Sequence, residues 1–177
     1  MATAPSPTSW TSGDTVTEAG LDATQAAINF LRSPPRAQLG RASLQNVTNN
    51  TNTAVKWTTE VFDSVNGHDT STNNERYVAQ YDGIYQVSAT IPWETNTVLH
   101  KVAHWFRVNG SSSEEFAGCE IMKTTSDITL CTASTTHIEL TTGDYVEVIV
   151  WHNKGSNHQI DHTQHGGPLF DIRWVSA

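Results

Sequence analysis

From Arg41 onward the chain alternates between apolar and polar residues in short runs. In Ile84–Ile91 the residues Tyr85, Val87, Ala89 and Ile91 share one face of an extended strand and Gln86, Ser88 and Thr90 the other, because successive strand side chains point to opposite sides. Val102–Val108 alternates in the same way and stops at Asn109-Gly110, a dipeptide suited to the two positive-φ positions of a tight hairpin turn. Thr142-Gly143-Asp144 opens a further run, Tyr145–Trp151. A last run, Pro168–Val175, is rich in large residues (Phe170, Ile172, Trp174), which predicts a central position in its sheet. Weaker runs over 43–47, 54–62, 77–80, 115–122 and 126–140 are separated by Asn, Gly, Asp and Ser. This spacing predicts an all-β sandwich.

The N-terminal part follows a different period. Thr17 precedes Glu18, and the apolar positions Leu21, Ala26, Ala27, Ile28 and Leu31 run up to Pro34-Pro35, which predicts one helix of about four turns. Leu21, Gln25, Ile28 and Phe30 or Leu31 form its narrow stripe. A helix this short is marginal by itself, so the stripe is expected to dock on a sister chain or another protein. The first fourteen residues contain Pro5, Pro7, Gly13 and many Ser and Thr, and predict an extended arm with Trp10 as its one large anchor. The chain therefore divides into an arm and helix over 1–40 and a head over 41–177.

One strand is apolar on both sides. Val146, Val148 and Val150 face one way and Tyr145, Glu147, Ile149 and Trp151 the other. A sandwich strand needs a single apolar face, and a second one stays exposed unless something covers it. Tyr145, Ile149 and Trp151, together with Trp105, are accordingly candidates for a contact between copies of the chain; the alternative is that loops or the N-terminal arm lie over them.

Composition narrows the partners. Ten Lys and Arg against 18 Asp and Glu give a formal charge of -8, the wrong sign for nucleic acid, and no basic run stands out. No stretch approaches the roughly 18 to 20 apolar residues of a membrane helix, and the start lacks a secretory pattern. The expectation is a soluble chain made in the cytoplasm, with no nucleic-acid or membrane partner. Cys119 and Cys131 lie on neighbouring predicted strands, where they either pair or remain reduced as small apolar residues.

Eight histidines raise the question of a metal, above all in the tract His158, Asp161, His162, His165 with His152 just before it. Zinc needs three or four ligands on a rigid framework. Gly166-Gly167-Pro168 and the surrounding polarity predict a loop, so a solvated or interface-lining tract is the main reading. His158, His162 and His165 remain a metal alternative in which three-fold symmetry gathers histidines on an axis. Catalytic patterns are lacking. Ser111-Ser112-Ser113 has no nucleophile-elbow context, and adjacent Glu114 and Glu115 point to opposite faces of a strand. Neither an enzyme nor a cofactor is expected. Trp57, Trp93 and Trp105 serve either as sugar-stacking platforms or as core.

Several segments carry a family resemblance. Gly83-Ile84-Tyr85-Gln86-Val87-Ser88-Ala89, Arg107-Val108-Asn109-Gly110, and Leu140-Thr141-Thr142-Gly143-Asp144-Tyr145-Val146-Glu147-Val148 resemble the jelly rolls of tumour necrosis factor (TNF) and complement globular heads. Trp10, Gly13-Asp14, Val16-Thr17, Phe30-Leu31, Pro34-Pro35, Phe62-Asp63 and Gly67-His68 extend the resemblance to structural proteins of tailed phages, especially those of actinobacteria. The resemblance implies a homotrimer of ten-stranded antiparallel jelly rolls with Tyr145–Trp151 packed between copies. It also implies that an N-terminal region containing Trp10, Val16, Leu21, Ile28, Phe30 and Leu31 attaches the trimer to the exterior of a virion, through the major capsid protein or a tail protein. With about 40 residues before the head there is no fibre shaft, which favours a capsid decoration or head-fibre protein over a minor tail protein. A receptor-binding module recognising a host-surface glycan is the alternative.

Overall fold

The computed structural model describes residues 4–124 and 128–177. One helix, α1 (Glu18–Arg32), precedes the strands β1 (Arg36–Gly40), β2 (Gln45–Val47), β3 (Thr53–Ala54), β4 (Thr59–Asp63), β5 (Arg76–Val78) and β6 (Gly83–Pro92). Then follow β7 (Lys101–Val108), β8 (Glu115–Met122), β9 (Cys131–Leu140), β10 (Tyr145–His152), β11 (His158–Ile160) and β12 (Leu169–Ser176), with a 3-10 turn at Gln164–Gly166. Among the described residues no helix is long and apolar enough to cross a membrane.

Two five-stranded sheets form the sandwich. The first has the order β4-β1-β12-β6-β9; in the second, β3-β10-β7-β8, strand β5 also pairs with β10. A two-stranded ribbon of β2 and β11 closes one end. The strand pairs are antiparallel, and β12 sits between β1 and β6 as its large apolar residues predict. The alternating apolar residues of β6, β7, β10 and β12 turn inward and are buried together. Trp57 stacks on Phe170 with ring centroids 5.6 Å apart, and Phe106 lies 6.1 Å from the same ring. Each such ring removes on the order of 150–250 Å² from water, which makes aromatic burial the main driving force here.

Turn chemistry places the hairpins. Asn109 (φ 51°) and Gly110 (φ 68°) make the turn after β7, the left-handed pair that the Asn-Gly dipeptide allows. The Asp144 carboxylate accepts from the backbone N–H and hydroxyl of Thr141, both at 2.7 Å, and from the Asn109 amide at 2.9 Å, tying two turns together.

Three elements differ from expectation. The head begins at Arg36, not Arg41, because β1 pairs with both β12 and β4; it is only five residues long and directly follows Pro34-Pro35, so its alternation is easily missed. The run over 54–62 is divided between β3 and β4, which belong to different sheets. The run over 126–140 forms a strand only from Cys131, and residues 126 and 127 lie outside the described residues.

Candidate interaction surfaces

Helix α1 starts where Thr17 caps it, with the side chain accepting the Gly20 N–H at 3.2 Å. The face it turns to the head is made of Ala27 and Phe30, while Gly20 faces the arm. Phe30 meets Tyr81 (centroids 5.1 Å apart) and Trp174 (4.8 Å) edge-on. Phe30, expected among the attachment residues, thus packs the helix on its own head within the chain. The arm folds back as well. Trp10 lies across Gly20 so closely that a Cβ there would come within 2.6 Å of the indole, and the Thr8 hydroxyl donates to the Gly20 carbonyl at 3.2 Å. Ala4 reaches the core. The arm is therefore packed against its own helix, with Trp10 still partly exposed.

The other side of α1 is bare. Leu21, Ile28 and Leu31 are 56%, 44% and 65% exposed, and their spacing of seven and three residues puts them in one line along the helix. Val16, just before the cap, is exposed beside them. Alongside runs an apolar groove between Pro5, Pro7, Phe30, Leu31 and Val175.

Tyr145, Ile149 and Trp151 project from the outer face of β10, next to Trp105 and Ala103 of β7 in register. Within one chain Ile149 is already 2% exposed, flanked by Trp105 on one side and Ala54 of β3 on the other. The Arg76 guanidinium covers the Tyr145 ring at 4.6 Å. Trp105 and Trp151 are half-buried. Two ion pairs on this face lie within the chain, Lys101 with Glu120 and Arg107 with Glu115, each at 2.7 Å, while burial and then Glu75 raise the pKa of Glu147 on the same face. By contrast, the outer face of the first sheet places Ser88 opposite Thr135 and Thr90 opposite Ala133, all short and uncharged, near the exposed Ile84, Val175 and Phe62.

The histidine tract is taken apart by the fold. His158 is buried on β11, His162 is half-buried in the turn that follows, and His165 is exposed at φ 53° in the 3-10 turn. Among the described residues of one chain no three His, Cys, Asp or Glu side chains are placed to hold a metal ion, and His158, His162 and His165 do not come together within it. His158 instead meets His100 (centroids 4.9 Å apart) and His152 (5.5 Å), while Trp93 stacks on it at 5.1 Å. His100 and His152 have the inward parity of Val102 and Val150 in their strands, a signal that the sequence reading did not use.

His104 is fully buried between the Thr132 and Ser134 hydroxyls, 2.6 Å from each. Burial pushes its pKa down to about 4. Trp57 and Trp93 are fully buried, which removes them as sugar platforms. Cys119 and Cys131 are half-buried free thiols; burial first, and then the nearby Cys119, raise the pKa of Cys131. At the β4–β5 connection, Asn66, Asp69, Asn73, Arg76 and Gln80 line a polar cup. Backbone N–H groups of Thr72 and Ser71 hold Asp69 at a pKa of about 2, so the cup carries a fixed negative charge beside its cation.

No family model matches the chain, and no curated protein matches it. Solved structures do. The globular domain of zebrafish complement 1qA protein is similar at 10% identity and a TM-score of 0.56, over 80% of this chain and 97% of that one. Murine APRIL, at pH 5.0, is similar at 17% identity and a TM-score of 0.59, over 78% and 98%. The Eiger TNF of S. frugiperda is similar at 17% identity and a TM-score of 0.56, over 80% and 92%. The chain has the jelly-roll fold of these TNF and complement domains.

Proposed function

We propose that this jelly roll is a non-enzymatic structural module of a phage virion, a homotrimer held to the particle exterior by its N-terminal helix as a capsid decoration or head-fibre protein. The two-faced α1 carries this reading. Ala27 and Phe30 fix the helix to its own head and Trp10 covers Gly20, leaving Leu21, Ile28 and Leu31 as an exposed apolar line. Three such lines in one trimer multiply a weak contact into a firm one without a tight single site. The major capsid protein is the preferred partner and a tail protein the less favoured one. We read the contact between copies on the outer face of β12, β6 and β9, where Ser88, Thr90, Ala133 and Thr135 let a neighbour approach closely. The face of Trp105, Tyr145, Ile149 and Trp151 is less suited, because Ile149 is already buried and two ion pairs are already formed within one chain.

The test is rebinding of purified protein to particles stripped of it, followed by electron microscopy. The double variant Leu21→Asp/Ile28→Asp is expected to lose at least about tenfold in occupancy while keeping its native mass, since each charge would have to be buried in an apolar contact. Full occupancy by that variant would sink the attachment role of the helix.

A receptor- or glycan-binding role is favoured by one other observation, the polar cup of Asn66, Asp69, Asn73, Arg76 and Gln80. Binding of the isolated protein to host cell walls, lost in Arg76→Ala, would support this second role; no binding by the unaltered protein would remove it.

A further inference from the structure

The end of the sandwich closed by β2, β11 and residues 93–100 buries three imidazoles, His100, His152 and His158. Their hydrogen bonds assign His152 and His158 a neutral form, and burial favours the same form for His100. The Val98 N–H binds the Asn96 side-chain oxygen at 2.9 Å, so the Asn96 amide nitrogen is the donor to His158 Nε2 at 3.2 Å. His158 therefore carries its proton on Nδ1, where it has no partner. His100 donates from Nδ1 to the Val98 carbonyl at 2.8 Å, and its bare Nε2 is also buried without a partner. His152 donates from Nε2 to the Val47 carbonyl of β2 at 3.0 Å and accepts the Lys154 N–H on Nδ1 at 3.2 Å. Two of the three lone pairs thus hold the tip together, and protonating either breaks a bond.

The charged groups facing the rings are cations. Lys123, fully buried after β8, donates to the carbonyls of Asn96 and Ile128. Lys154, in the turn after β10, donates to the Asn157 carbonyl at 3.3 Å. The carboxylate of Asp161, at the end of β11, is turned to Thr163 and Gln164. Among the described residues no carboxylate acts on any of the three rings.

We propose that this tip is a proton-operated latch: mild acid releases the β2–β11 ribbon from the intact sandwich and uncovers Trp93 and the three histidines. The released rings take up protons that the closed tip excludes, while Lys123, Lys154 and the rings themselves repel one another on re-closing. Burial holds all three rings below the ordinary histidine value when the tip is closed, His158 at about 3. Below about pH 6.5 each linked histidine then raises the open fraction up to tenfold per pH unit. Opening is expected to be local, since the ribbon meets the sandwich through separate bonds such as His152 to Val47, Glu94 N–H to the Gln159 carbonyl, Asn50 N–H to the His152 carbonyl and Asp161 N–H to the Pro92 carbonyl, and buries only Val47 and Ile160 in the core.

Amide hydrogen exchange on the full chain between pH 7.5 and 5.0, corrected for the intrinsic pH dependence, reads this directly. Peptides over 45–50, 94–102 and 156–162 are expected to lose protection with a slope steeper than tenfold per pH unit below 6.5, while β6 and β12 keep theirs. His100→Phe, which leaves both lone-pair bonds in place, should lower that slope by about one proton. A shallower slope in the unaltered protein overturns the proposal, whether or not the variant folds. Loss of protection in β6 and β12 together with the tip also overturns it, because the histidines would then report global unfolding.

Discussion

At His104 two hydroxyls and one imidazole satisfy one another where water is excluded. An ionised ring would have to be desolvated there without a counter-charge, so its folded pKa lies near 4, below the ordinary 6.5. The sign follows: between pH 6.5 and about 4 the unfolded chain binds the extra proton, so stability is complete above 6.5 and falls as pH drops through that window. Urea unfolding at pH 7.5, 6.0 and 5.0 should show a declining midpoint, with His104 contributing up to about 1.4 kcal/mol per pH unit. His104→Leu should remove that contribution, yet lower stability by about 2 kcal/mol at pH 7.5, because the Thr132 and Ser134 hydroxyls lose their partner. The inward direction of His104 is legible in the Val102–Val108 alternation. Its partners are not, since they lie 28 and 30 residues away on another sheet.

Among the elements, α1 shows why its ends were readable and its orientation was not. Thr17 and Pro34-Pro35 punctuate the chain by local chemistry, and the observed helix keeps to those limits. Hydrophobic patterning picks the stripe of Leu21, Gln25, Ile28 and Phe30 or Leu31 as the face that docks on a sister chain or another protein; within the chain, Ala27 and Phe30 turn to the head while Leu21, Ile28 and Leu31 stay exposed. Small residues permit close approach, and one aromatic ring then fills the space between Tyr81 and Trp174. Phe30→Ala should cost about 2–3 kcal/mol, less than a fully buried ring, and make 18–32 an early site of limited proteolysis. Gly20→Ala separates helix from arm. Alanine favours the helix by about 1 kcal/mol, but its methyl group collides with Trp10. The expected result is unchanged or slightly raised thermal stability, with red-shifted Trp10 emission and cleavage confined to residues 4–16. The short strands β1 and β11 escaped the reading because five and three residues carry too little alternation to stand out.

For the molecule as a whole, the native mass is expected at three times 19.4 kDa. Thr135→Arg should reduce it to one copy, whereas Trp151→Arg should leave it unchanged. Native mass spectrometry of the two variants decides which sheet joins the copies. Attachment through apolar lines on α1 should survive about 0.5 M salt, at which ionic contacts beyond some 4–5 Å are screened; release from particles at that salt would point to ion pairs instead. The sandwich and the central place of its last run were readable because alternation and turn residues act locally. The packing of Phe30 on Tyr81 and Trp174, and the company kept by His158, depend on pairings far apart in the chain.

The position of β12 has a consequence for synthesis. It is made after the strands it joins, and it links the β4–β1 pair to the β6–β9 pair. Until residues 169–176 leave the ribosome, that sheet exists only as two separate halves with unpaired edges facing each other. Every nascent chain therefore passes through a period in which another polypeptide's strand can fill the gap, and fast emergence of this segment guards against mispairing between neighbours on one messenger.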